Sequence, residues 1–412
     1  MHRIFEADEF PGRPRILFVG LAENSHTHSW IDLLTGAPFN VRLFARPTGL
    51  PPADWKVRTY ITQLTSPPLD AATRACVYPR NRILRTGKIR AARYFASTAF
   101  DDLEGLWLAR VIKQWRPHII HTLGLVQGGE IYYHARQRYG LEGIGKWLLQ
   151  TRGGSDLTLP HLDPERNKQL AEMIHSADQI VCDNEVDLRI ARELGARDEQ
   201  IASIAPVPGT GGIDVDGLRK KWHGPPSERR AIVWPKAYDS AWGKMLGVFE
   251  ALKLCWDRIQ PCEIHMLSMD ADSRMWFWTL PEAIRQASHP HARVPRAEVL
   301  QLMPQARIML APALTDGVPN SLYEAMACGA FPIVSPLETI FPVVESEQNV
   351  LFARTLYPHE IAAALTRAMT DDALVDAAAS RNLEVVRRVA SREIIRPRIV
   401  EYYEKLAQQA RG

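Results

Sequence analysis

Two carboxylates, Asp316 and Glu324, flank the stretch Gly317-Val318-Pro319-Asn320-Ser321-Leu322-Tyr323, where a turn gives way to a helix. Asp316 falls in the loop, and Glu324 falls about one turn inside the helix, whose first backbone N–H groups have no intrahelical partners. With Asn320 or Ser321 as N-cap, those amides are offered to an anion, and phosphate is the anion such a helix start suits. The two acids then reach hydroxyls on opposite sides of a diphosphate, the outline of a sugar nucleotide. Glu324 alone reads equally as a helix-dipole residue, and acid pairs at this spacing arise by chance in a chain with 24% charged residues.

The elements that must hold these acids are legible around them. Ala306 to Pro312 is a short apolar run of the kind that forms a buried strand, so strand, loop and helix follow in order. Similar runs recur at Arg15–Val19, Asn40–Phe44, His118–His121, Trp147–Gln150, Gln179–Cys182, Ala231–Trp234 and Glu263–Leu267. Helical patterns separate them at Leu103–Trp115, Glu130–Tyr139, Arg166–Ser176, Asp187–Leu194, Met245–Asp257 and Glu298–Met303. Such alternation predicts α/β architecture with doubly wound parallel sheets. A Pro- and Gly-rich stretch between Pro206 and Arg229 divides the chain, which predicts two Rossmann-like domains facing a cleft. The boundaries read as a first domain over 13–206, a linker over 207–229, a second domain over 230–390 and a terminal helical segment over 391–412.

From Arg307 to Val334 the chain closely resembles the E-x7-E region of retaining GT-B glycosyltransferases of family 4, the glycosyl transferases group 1. The resemblance rests on Asp316, on Glu324-Ala325-Met326-Ala327-Cys328-Gly329 and on the strand Phe331-Pro332-Ile333-Val334; Asp316 stands where most of the family has Glu. It extends in order along nearly the whole chain, and what it implies is transfer of a sugar from a nucleotide diphosphate donor to an acceptor hydroxyl with retention, the chemistry of a hexosyltransferase. Glu324 is implied at the ribose hydroxyls and Asp316 at the donor-sugar hydroxyls, with Gly317, Asn320, Ser321 and Leu322 lining the donor between them. In Trp234-Pro235-Lys236-Ala237-Tyr238-Asp239-Ser240-Ala241-Trp242-Gly243-Lys244, the lysines Lys236 and Lys244 match the pair that neutralises the diphosphate, and the backbone at Val294 takes the base position. Glu338 and Glu345 either close that pocket or are surface charge. His121 is implied at the mouth of its strand, facing the donor sugar, and Leu123 replaces the second histidine of many relatives. Gly128-Gly129 would let the backbone approach the sugar. On the acceptor side, Asn24, His26 and His28 lie in the loop after the first strand, where the histidines either touch acceptor or are solvated beside capping Ser25 and Thr27. Asp156, in Arg152-Gly153-Gly154-Ser155-Asp156, orients an acceptor hydroxyl or only shapes an Asx turn. The terminal helix is implied to return to the first domain. No metal or other cofactor is implied beyond the donor substrate.

The 412 residues, 46% of them hydrophobic, suffice for two cores. No apolar run approaches the roughly 20 residues needed to span a bilayer, and Met1 to Glu9 lacks the features of a signal peptide, so the reading is cytoplasmic. The five cysteines are scattered and mostly within apolar segments, which predicts buried thiols rather than disulfides or a zinc knuckle. Net charge is only +3, yet Arg74, Arg80, Arg82, Arg85, Lys88, Arg90 and Arg93 form a run without an acid. Interleaved with apolar residues, that run suits an anionic membrane surface at the inner face of the cytoplasmic membrane, or it is a solvated loop. No nucleic-acid motif accompanies it. Surface polysaccharide or glycolipid synthesis is the implied setting. The alternatives are a nucleotide-sugar epimerase or hydrolase of the same fold and a noncatalytic sugar-nucleotide-binding subunit.

Overall fold

The computed structural model describes residues 7–46, 48–52, 54–62, 75–78, 100–154 and 156–410. They form two compact units, one of residues 1–211 with 396–412 and one of residues 212–395. Apart from a strand over Ala75–Tyr78, the basic run from Arg74 to Arg93 lies outside the described residues.

The first unit is built on a parallel sheet in the order β4-β3-β2-β1-β5-β6-β7. Its strands are β1 (Arg15–Leu21), β2 (Asn40–Arg46), β3 (Arg58–Thr62), β4 (Ala75–Tyr78), β5 (Ile119–Leu123), β6 (Lys146–Gln150) and β7 (Gln179–Val181). Strand and crossover helix alternate because parallel neighbours cannot be joined by a tight turn. Four helices, Phe100–Trp115, Glu130–Tyr139, Pro164–Ser176 and Glu185–Glu193, follow in this sequence. Residues from all four share a core with Leu17, Val19, Ile120, Trp147 and Leu149 of the sheet. The alternate side chains Phe18 and His121 face the other way and meet Trp30 of the helix Ser25–Ile31 and Tyr403 of the helix Arg392–Gln409. Residues 396–410 thus complete the first unit.

The second unit carries a six-stranded parallel sheet in the order β10-β9-β8-β11-β12-β13. Its strands are β8 (Ala231–Trp234), β9 (Glu263–Met266), β10 (Ser288–Pro290), β11 (Ala306–Ala311), β12 (Phe331–Val334) and β13 (Leu351–Phe352). Ile232, Trp234, Ile308 and Leu310 bury against the helices Met245–Ile259 and Pro358–Thr370. Val233, Met309 and Val334 bury against Asn320–Ala327 and the C-terminal part of Asp372–Ala390. The stretch expected as a linker is structured: from Gly212 it belongs to the second unit and contains a short helix, Val215–Arg219. Arg229, at its end, is buried and donates to the carbonyls of Ala306 and Cys328 at 3.1 and 3.0 Å. All five cysteines are buried. Among the described residues, no helix is long and apolar enough to cross a membrane.

Candidate functional site

In the second unit the chain runs from β8 outward through β9 and β10, then crosses to the other side of β8 to form β11. Open parallel sheets bind ligands at such a reversal, beyond the carboxyl ends of the strands. Lys236 follows β8 by two residues, Asp316 follows β11 by five, and the two side chains meet there with Nζ 2.5 Å from Oδ2. The other Asp316 oxygen accepts the Gly317 amide at 3.0 Å, and the buried Thr339 hydroxyl donates to the carbonyls of Asp316 and Gly317 at 3.0 and 3.1 Å. The shorter acid is therefore held from both ends. Burial alone would lower the Lys236 ammonium, but the Asp316 carboxylate outweighs it and holds the amine above its ordinary value. Lys236 is 41% exposed along its side chain, so a charged head pinned by one carboxylate remains within reach of a second anion.

Helix Asn320–Ala327 starts beside this pair, and its cap differs from expectation. Pro319 occupies the N-cap with no side-chain hydrogen bond, and Asn320 and Ser321 are the first helical residues instead. Proline presets the entry angle of the helix. The Ser321 hydroxyl is buried without a partner, and Leu322 is fully buried under the helix. Glu324 is buried on the same helix and accepts from Arg296, whose Nε and Nη2 both lie 2.6 Å from its Oε1. Burial raises the Glu324 carboxyl, and the Arg296 charge opposes the shift without cancelling it. Arg296 opens the helix Arg296–Leu302, two residues after half-buried Val294, and sequence reasoning missed it. The sequence reading at Val294 stopped two residues short of the side chain that partners Glu324. Lys244 sits at the start of the helix Met245–Ile259 and makes no ion pair among the described residues. Glu338 and Glu345 are exposed, and Glu345 accepts from Gln348. Two Asp-x-Asp strings occur, but the first acid of each, Asp214 and Asp270, caps a short helix by accepting the amides of Gly217 and Ser273.

In the first unit the same kind of reversal lies between β1 and β5. Asn24 caps the helix Ser25–Ile31 by accepting the His26 amide at 2.8 Å. His28 donates through Nε2 to Ala22 O at 2.5 Å and stacks on Trp55 at 4.4 Å, so it braces the loop, while His26 is half-buried. His121 departs from expectation. It lies at the centre of β5 rather than its mouth, has no exposed surface, and pairs through Nδ1 with the Tyr403 hydroxyl, to which Trp30 Nε1 donates at 3.0 Å. Burial first, and the Arg152 charge second, hold this imidazole well below its ordinary value, so it is neutral at pH 7. Gly128 also differs: a Cβ there would meet Val19 O of β1 at 2.2 Å, so the close backbone approach it permits is to the chain itself. Asp156 is buried and accepts the amides of Arg152 and Val126 at 2.9 and 3.4 Å. It belongs to a buried acidic group with Asp183 and Asp187. Burial pushes Asp183 up to about 7, and burial together with the Asp183 charge drives Asp187 well above the carboxylate range. Near these, Gln150 Oε1 and Nε2, Arg152 Nε and Nη2, Thr27 Oγ1 and Gln127 Oε1 are buried without partners. Buried polar atoms at the carboxyl ends of strands call for water or a ligand.

Residues 273–371, which include Arg296, Asp316 and Glu324, match the family model for glycosyl transferases group 1. Solved glycosyltransferases share the whole two-unit architecture. The fold is GT-B, with a glycosyl transferases group 1 segment in its second unit. Sucrose-phosphate synthase from Thermosynechococcus elongatus aligns with a TM-score of 0.68 at 15% identity over 96% of this chain and 100% of its own. HepE of Anabaena in complex with UDP-glucose aligns with a TM-score of 0.62 at 13% identity, covering 94% of this chain and 98% of its own. A glycosyltransferase from Rickettsia africae gives a TM-score of 0.62 at 12% identity over 96% and 99%. No curated protein matches the chain by sequence. The neighbouring structures share the fold at identities too low to specify residues.

Proposed function

We propose that this GT-B chain is a retaining glycosyltransferase of the hexosyltransferase type. The observation that carries the reading is the Lys236–Asp316 pair at the β8/β11 reversal, beside the start of a helix that also bears Glu324. A nucleoside diphosphate sugar placed there has its phosphates against Lys236 and the helix start at Asn320 and Ser321, with Lys244 as a second cation. Glu324 takes the ribose hydroxyls, the backbone at Val294 takes the base, and Asp316 with Gly317 and Leu322 meets the sugar side. HepE, bound to UDP-glucose, makes UDP-sugars the first donors to try. As the anomeric C–O bond to the β-phosphate breaks, negative charge grows on the leaving oxygen, and Lys236 with the helix dipole stabilises it. The acceptor hydroxyl attacks from the same face and its proton passes to the departing phosphate oxygen, so the anomeric configuration is kept. No protein nucleophile and no metal takes part in this scheme.

Asn24, His26, His28 and Asp156 remain the proposed acceptor side. Since Asn24, His28 and Asp156 are engaged in backbone contacts, direct hydrogen bonding to the acceptor passes to the unpartnered groups of Gln150 and Arg152. His121, fully buried and held through Nδ1 by Tyr403 with its Nε2 unpartnered, remains the proposed catalytic histidine of the first unit. A surface polysaccharide or glycolipid acceptor at the membrane face fits the basic run from Arg74 to Arg93, and vesicle flotation that weakens with salt tests that setting. Incubation with UDP-, GDP- and ADP-sugars tests the reaction itself: acceptor-dependent release of nucleoside diphosphate supports it. Free epimer or free sugar without acceptor dependence favours an epimerase or hydrolase, and tight nucleotide binding without turnover favours a noncatalytic subunit.

A further inference from the structure

At the edge of the second sheet, three histidines and a glutamate converge on one face. β10 pairs with β9 in parallel register with His289 directly opposite His265. Residues two apart on a strand share a face, so Glu263 lies beside His265 and His291 continues the line of His289. The rings are stacked, with His265 and His289 centroids 4.9 Å apart and His265 and His291 centroids 5.7 Å apart. Glu263 Oε2 lies 3.9 Å from Nε2 of both His265 and His289. One donor atom from each of Glu263, His265 and His289 falls within 4.8 Å of the others. Two buried ring nitrogens of the group, His265 Nδ1 and His291 Nε2, have no hydrogen-bond partner.

A structural role for this stack accounts poorly for its chemistry. Three adjacent imidazoles repel one another when protonated, and buried nitrogens without partners cost free energy. We propose that Glu263, His265 and His289 form a binding site for a divalent transition metal of the zinc class. Two imidazoles and a carboxylate are the donor set that zinc takes at sites leaving a fourth position open. Bonds of about 2.0–2.1 Å to a tetrahedral ion put donors roughly 3.3 Å apart, so the 3.9 Å spacings close by small side-chain rotations. The ion would clamp the edge strand β10 to β9. It would also brace the backbone after His291, whose amide bonds Met266 O at 2.8 Å and whose carbonyl accepts the Met269 amide at 2.9 Å. That segment leads to Val294 and Arg296.

The test is titration of the tag-free, full-length, chelator-stripped protein with Zn2+, followed by calorimetry and thermal melting, with Co2+ as a spectroscopic probe. The expected result is one Zn2+ per chain, a melting midpoint that rises with Zn2+, and Co2+ absorption bands of a four- or five-coordinate histidine site. His265→Gln with His289→Gln should weaken Zn2+ binding at least about tenfold and abolish those bands, as should Glu263→Gln to a smaller extent, while His134→Gln, in the first unit, leaves them unchanged. The substituted residues lie on the edge strand β10 and its neighbour β9, and an unchanged far-ultraviolet spectrum establishes that the variants fold. Zn2+ affinity and Co2+ bands that survive the double substitution, or no stoichiometric binding to the unsubstituted protein, would overturn the proposal.

Discussion

Lys236, Asp316, Arg296 and Glu324 form two ion pairs at one end of the second sheet, and each leaves a different signature on substitution. Asp316 pairs with Lys236, with Nζ 2.5 Å from Oδ2. Asp316→Asn removes the charge that sets the lysine's position, and a loss of roughly 100-fold in kcat/KM is expected, the scale seen when one transition-state donor is misplaced. Arg296→Ala strands a buried Glu324, 7% exposed along its side chain, while Arg296 itself is 36% exposed. The partial exposure reduces the usual cost, so about 1–3 kcal/mol of destabilisation is expected in denaturant unfolding. Adding Glu324→Gln should restore most of it, because the remaining amide carries no buried charge. The acids of the first unit act through pH. Asp183, with its carboxyl raised to about 7 by burial, holds a proton in the folded state that the unfolded chain has released above about pH 4. Stability should therefore fall as pH rises from about 4 to about 7. Melting temperatures across that window should decline less steeply in Asp183→Asn, and an unchanged slope would remove Asp183 as the cause.

At the scale of elements, legibility followed hydrophobic continuity. β1, β2, β5 and β6 are central and carry apolar runs, so the sequence marks them, and the edge strand β7 is marked by Ile180 and Val181; the edge-side β3, β4, β10 and β13 are short or polar and do not stand out. β3 reads Arg-Thr-Tyr-Ile-Thr, and only its place beside β2 buries Thr59 and Tyr60. The loop acids and Lys236 were legible because they follow their strands within a few residues, whereas Arg296 meets Glu324 across 28 residues. His121 was misplaced for a related reason. Its environment is supplied by Tyr403, 282 residues away, which no local pattern reveals. Tyr403→Phe tests this seat, since it leaves Trp30 Nε1 and His121 Nδ1 buried without their shared partner. A loss of roughly 2–4 kcal/mol in equilibrium unfolding is expected from the two orphaned groups. The helix at Asn320 shows a subtler limit, because polar residues near a helix start suggest a side-chain cap, yet Pro319 takes that position and the side chains move one step inward.

For the whole molecule, the discontinuous first unit is the main consequence of chain connectivity. Ile399, Tyr403, Leu406 and Ala407 are buried in the terminal helix, and Arg396 donates to the carbonyl of Leu33 at 3.0 Å. A chain ending at residue 395 should lose the calorimetric transition of the first unit and expose its sheet, while the contiguous 212–395 unit keeps its own. Persistence of both transitions would show that the terminal helix is dispensable. The division also places the proposed donor chemistry, Lys236, Asp316, Glu324 and Arg296, wholly within one unit, where the glycosyl transferases group 1 segment lies. Acceptor-dependent release of nucleoside diphosphate from a panel of nucleotide sugars, compared between the unsubstituted chain and Lys236→Ala, is the most direct measurement of that claim. The account predicts turnover with at least one donor and a fall of roughly 100-fold or more in kcat for Lys236→Ala; equal turnover by the two proteins would contradict it.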